Sequence, residues 1–125
     1  MLNIKVTKPP VKESNPYPKY IFDSLDPNTK LMVIESNFNV NKTYLVGRSS
    51  LLGCCNFPKN VDIGIKYIEK SIQNGSERAM KFYAKYLITN PSCTQQDIDK
   101  AQKLISKVSD QNSPYTIFIK GLIYR

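Results

Sequence analysis

Shifting the sequence by 37 residues lays residues 44–125 onto themselves, and this repeat restricts the fold more than any other feature. Gly64 falls on Ala101, Tyr67 on Leu104, Ile68 on Ile105, Lys70 on Lys107 and Asp62 on Asp99. Gly47 falls on Ala84 and then on Gly121, so small residues recur where helices pack closely. Gly75 falls on Asn112, and both residue types tolerate the left-handed C-cap that ends a helix. A fixed period of this size marks stacked helical hairpins, each burying its apolar face on the next.

One unit is then a helix A, a loop, a helix B and a tight turn. The spacing predicts A helices near 43–54, 76–89 and 114–125, and B helices near 60–74 and 95–110. On helix 76–89, Ala79, Phe82, Tyr83, Tyr86 and Leu87 share one face; on helix 95–110, Ile98, Ala101, Leu104, Ile105 and Val108 do. Pro58 and Pro91 break the chain in the matching loops. The expected core is Phe82, Tyr83, Tyr86, Ile68, Leu104 and Ile105.

The first 43 residues differ. KPPVKESNPYPKY carries four of the eight prolines and reads as extended or polyproline-like, without helix. After it, Asp26 as N-cap and Pro27 at the first helical position start a short helix near 26–37. This extension has too few apolar residues to fold alone and should pack on the body. The expected fold class is therefore all-α: a short hairpin solenoid of about two and a half repeats over 44–125, preceded by a Pro-rich segment and one short helix.

The residues DIDKAQKLISKVSDQN, followed by KGLIYR, resemble the Sel-one-like repeat, a relative of the tetratricopeptide repeat. Asp97, Lys100, Ala101, Leu104 in the Trp place, Lys107, Asn112 in the Gly place, Gly121 and Tyr124 match its pattern. The preceding unit matches through Gly64, Tyr67, Lys70, Gly75, Ala79 and Ala84, with Asn60 for the Asp and Leu87 for the A-helix Tyr. The resemblance implies that Gly47, Ala84 and Gly121 let helix A approach its neighbour, and that the A helices line a concave binding surface.

Chemistry is thin by comparison. The chain has no His, which removes Ser-His and Cys-His nucleophile activation and His metal ligation together. Cys54, Cys55 and Cys93 are one short of a structural zinc set, and their odd number gives no disulfide framework. The five glycines form no phosphate loop, and Asp97 and Asp99, two apart on a helix, do not face each other. No enzyme activity, metal or cofactor is expected. No apolar run is long enough for a leader or a span, so a soluble, cytoplasmic protein without a membrane partner is the expectation.

The net charge is +8, and it favours acidic partners. Asp62 with Lys66, Glu77 with Lys81 and Asp99 with Lys103 are i, i+4 pairs that would neutralise several lysines locally. On the A helices, Lys81 and Lys85 point away from the apolar face and align with Tyr44 and Arg48 before them and Phe118 and Leu122 after them. Under the family resemblance, Tyr44, Arg48, Arg78, Lys81, Lys85, Phe118 and Leu122 form the floor of a partner-binding groove, cationic and aromatic with an apolar end. This composition suits an acidic, partly apolar protein surface. The expected function is a non-enzymatic protein-binding module. Its sharpest form is a bacterial immunity, antagonist or adaptor protein that binds a partner such as a cognate toxin. The alternatives are nucleic-acid binding through the same basic face, or a self-associating module. The helix YTIFIKGLIYR is apolar nearly all round, so a weak homodimer through it is also expected.

Overall fold

The computed structural model of the protein describes residues 17–124. Most of the Pro-rich segment, residues 8–16, therefore lies outside the described residues, as does Arg125. Among the described residues there are seven helices and no strand: α1 (Lys19–Ser24), α2 (Pro27–Glu35), α3 (Val40–Leu52), α4 (Val61–Gln73), α5 (Glu77–Thr89), α6 (Gln95–Ser106) and α7 (Pro114–Tyr124). The chain is all-helical, and its helices fall into two compact units, residues 1–74 and 75–125.

Side chains start most of these helices. Asn39, Asn60 and Ser76 accept hydrogen bonds from backbone N–H groups of α3, α4 and α5, the last two at 3.0 Å and 3.1 Å. Asp26 caps α2 ahead of Pro27, and the Ser113 hydroxyl accepts from the Thr116 N–H at 3.2 Å ahead of Pro114. Thr94 and Asp97 form a reciprocal capping box at the start of α6.

In the first unit α3 packs on α4, and α2 packs on α3. Two glycines set the first crossing. A Cβ on Gly47 would lie 2.9 Å from the Ile68 nitrogen and the Tyr67 Cβ, and one on Gly64 would lie 2.7 Å from the Leu51 nitrogen. Neither position has room for any side chain, so the backbones of α3 and α4 meet directly. Residues ahead of α3 complete the core: Tyr17, Leu25 and Val33 are buried with Val46, Phe57, Ile63 and Tyr67, and Ile21, Phe22 and Met32 pack against them. The Tyr17 hydroxyl hydrogen-bonds the Ser50 hydroxyl, and its ring lies 5.7 Å from that of Tyr67. The extension thus packs on α3 and α4, through the end of the Pro-rich run, α1 and the expected short helix.

One turn of helix was missed. Lys19–Ser24 is helical although KY closes the Pro-rich run. The Pro18 carbonyl accepts from the N–H groups of Ile21 and Phe22, and Lys19 pairs with Asp23 at 2.8 Å. Proline is compatible with a position just ahead of a helix, where its missing N–H is not needed.

In the second unit α5 packs on α6, and α7 packs on both. Here Ala84 and Ala101 are fully buried, where the first unit has Gly47 and Gly64. Tyr83, Leu104, Ile105 and Ile119 are buried as well. Phe82 and Tyr86, expected in the core, are only half-buried. The buried stripe of α5 runs instead through Ala79, Met80, Tyr83, Ala84 and Leu87, and at 100° per residue Phe82 and Tyr86 sit on its flank. There Tyr86 stacks on Phe82 and Tyr83, with centroids 6.4 Å and 6.3 Å apart.

Two other expectations need correction. α6 stops at Ser106, because the Gln111 amide donates to the carbonyls of Ile105 (3.0 Å) and Val108 (2.6 Å) and closes the helix end. Asn112 is accordingly no left-handed cap; among the described residues positive φ outside glycine occurs at Cys55 and Asn56. Gly121, expected to admit a neighbouring helix, has nothing within 4 Å of where its Cβ would be.

Candidate functional site

The expected groove residues fall in both units. In the first, Tyr44 and Arg48 lie one turn apart on α3. Tyr44 is only 7% exposed, so its ring belongs to the interior and offers a partner little surface. α3 buries Thr43, Tyr44, Val46, Gly47, Ser49, Ser50 and Leu51, a stripe wide enough to include Tyr44, while Arg48 between them stays exposed.

In the second unit the structure brings four side chains together. The Lys81 Nζ stands 5.9 Å from the centroid of the Tyr115 ring, and the Lys85 Nζ stands 5.9 Å from that of Phe118. Residues four apart on α5 thus meet residues three apart on α7, which is the spacing that puts side chains on one face of a helix. Both lysines are half-buried. A cation over an aromatic face contributes roughly 0.5–1 kcal/mol when exposed and more as water is excluded. Arg78 is exposed one turn before Lys81, and Leu122 is half-buried one turn after Phe118.

Tyr115 was not singled out from the sequence. The period could not have found it, because it aligns Lys81 with Phe118 and Lys85 with Leu122, whereas the rings they meet lie three and four residues earlier on α7.

Members of two of the expected i, i+4 pairs, Glu77 with Lys81 and Asp99 with Lys103, are engaged elsewhere. Glu77 accepts from the Ser109 hydroxyl at 3.0 Å, Asp99 accepts from the Gln95 amide at 3.0 Å, and Lys81 turns to Tyr115. Lys100 stands 5.0 Å from the Tyr83 ring centroid.

Among the described residues, no three Cys, Asp or Glu side chains converge as a metal set, and no helix is long and apolar enough to cross a membrane. The three cysteines are free thiols. Cys54 Sγ lies 3.3 Å from Cys55 Sγ; this hydrogen bond, with some burial, raises the Cys54 thiol above its ordinary range and keeps it protonated at neutral pH. In the first unit a cleft of about 250 Å³ lies among Met32, Leu45, Phe57, Cys55 and Asn56, with no acid–base pair on its walls.

α7 is the most exposed apolar element of its unit. Ile117, Phe118 and Tyr124 are 55%, 50% and 66% exposed, and Tyr115 is partly so. Every large hydrophobic that the second unit exposes to this degree is on this helix. Comparison of the chain with family models, with curated proteins and with solved structures gives no match.

Proposed function

We propose that the chain is a non-enzymatic protein-binding module built as a short array of helical hairpins similar to Sel-one-like repeats. The starts of α3, α5 and α7 support the array: Val40, Glu77 and Pro114 follow one another at the 37-residue period, and α3 and α5 are both 13 residues long. The observation that carries the binding reading is the exposed apolar surface of α7 with Lys81 and Lys85 over its rings. A contiguous apolar surface rimmed by polar groups marks an interaction site more often than an ordinary solvated face. The groove then comprises Arg78, Lys81, Lys85, Phe118 and Leu122 of the second unit. In its sharpest form the protein is a cytoplasmic immunity, antagonist or adaptor protein that meets an acidic, partly apolar surface of one partner.

Nucleic-acid binding through Arg48, Arg78, Lys81 and Lys85 is the weaker reading. Two of these four cations already stand over aromatic rings, and so few phosphate contacts give a shallow salt dependence and low affinity. The test is capture of the native partner by wild type and by Phe118→Glu, with circular dichroism to show that the variant folds. The partner is expected to be lost with the variant. Equal capture by both would remove this surface from consideration, and micromolar binding to generic RNA at physiological salt would favour the weaker reading.

A further inference from the structure

Three helices carry the same register position: Gly47 on α3, Ala84 on α5 and Gly121 on α7, each 37 residues from the next. At Gly47 the position is filled by α4, whose Tyr67 and Ile68 leave no room for a Cβ. At Ala84 it is fully buried within the packed second unit. At Gly121 it is exposed, with nothing within 4 Å.

The surroundings of Gly121 have the form of a helix seat. At 100° per residue Ile117, Phe118, Gly121 and Tyr124 fall within about a third of the circumference, so three exposed apolar side chains border a notch of bare backbone. Positive charge lies on both edges: Lys120 on one side, and Lys85 over the Phe118 ring on the other. α7 contains no carboxylate.

From this arrangement we infer that the Ile117–Gly121–Tyr124 strip docks an acidic amphipathic helix of a partner protein, seated on α7 as α4 is seated on α3. Charge selects this occupant over a second copy, because a two-fold contact would set Lys120 and Lys85 against their own equivalents on a chain of net charge +8. Shape specifies it further. α4 presents Gly64 followed by Tyr67 and Ile68, and α6 presents Ala101 followed by Leu104 and Ile105, all buried. An occupant of the same kind carries a small residue, then two large apolar ones three and four positions later, with Asp or Glu on the flanks.

The inference rests on the protein-binding reading and narrows it. Its test uses the full chain and two synthetic helical peptides with the same Ala-x-x-Leu-Ile face, one flanked by glutamates and its twin by lysines. Fluorescence anisotropy should show the glutamate peptide binding at least about tenfold more tightly than its twin, with affinity falling as salt rises. Gly121→Leu has open space for its side chain and should fold as wild type does, yet weaken the glutamate peptide at least about tenfold by filling the notch. Equal binding of the two peptides, or unchanged binding in Gly121→Leu, overturns the inference. So does light scattering that finds a dimer which Gly121→Leu dissolves, because the occupant is then a second copy. If neither peptide binds while capture of the native partner still depends on Phe118, the inference falls and the protein-binding reading stands. If that capture is also indifferent to Phe118, both fall.

Discussion

The two helix pairs α3–α4 and α5–α6 start at a spacing close to 37 residues and differ in the small residues at their crossings. The first has Gly47 and Gly64 where the second has Ala84 and Ala101, and no Cβ fits at either glycine. What covers the pairs differs too. The first shares its core with Tyr17, Leu25 and Val33 from the extension, and the second is completed by α7. A period in the sequence therefore fixes register, while the volume of one residue at each crossing fixes how near the helices come. It does not specify what covers the faces left over.

The largest effects should come from the aromatic residues at the two cores. Tyr67 is fully buried and Tyr83 nearly so; replacing either with Ala should cost about 3–5 kcal/mol in denaturant unfolding. Half-buried Phe82 should cost clearly less. A loss under about 1 kcal/mol at Tyr67 or Tyr83 would mean that the ring is not in the core.

Alkali should single out the first core. Burial pushes the hydroxyls of Tyr17 and Tyr67 above their ordinary value of 10.0, against hydrogen bonds with Ser50 and Ser36 that pull the other way. Below pH 10 the folded and unfolded forms are both protonated, and stability is unaffected by these groups. Above it the unfolded chain loses its protons first, so stability falls as pH rises. Tyr17→Phe should flatten that fall, measured as the denaturation midpoint against pH. An equal slope in wild type and variant would remove Tyr17 from the account.

The crossings themselves are tested by exchanging their small residues. Gly64→Ala adds a methyl that would meet the Leu51 backbone at 2.7 Å, and should cost about 1–3 kcal/mol. This runs against helix propensity, which favours Ala over Gly by roughly 1 kcal/mol. Ala101→Gly should cost about 1 kcal/mol through propensity and lost contact. A stabilising Gly64→Ala would show that the two crossings have the same spacing.

Much of this was legible from residue spacing. The period located α3, α5 and α7, and Asp26 with Pro27 located α2, because caps and registers are local or periodic signals. What escaped depended on tertiary contacts. The Lys19–Ser24 helix is held by Ile21 and Phe22 packing on a core formed mostly by later residues. Tyr44 looked outward when aligned with Lys81, but the buried stripe of α3 is wide enough to take it in. Gly121 shared its register with Gly47 and Ala84, and nothing local in the sequence distinguishes an occupied position from an open one. The rings that Lys81 and Lys85 stand over required knowing that α7 lies beside α5.

The smallest effect expected is the most specific to the second unit. Lys85 stands over the Phe118 ring at 5.9 Å, at a half-exposed site where such a contact contributes about 0.5–1 kcal/mol. Lys85→Gln keeps most of the side-chain stem and removes the charge, and Phe118→Leu keeps apolar volume and removes the aromatic face. Either change alone mixes the contact with lost packing, so the double-mutant cycle is the informative quantity. A coupling of about 0.5–1 kcal/mol is expected, and it should persist in moderate salt because the ring carries no net charge to be screened. A coupling near zero would mean that Lys85 merely lies beside the ring. The apolar strip of α7 would then lose the cation that marks one of its edges, and the choice of an acidic occupant would rest on Lys120 alone.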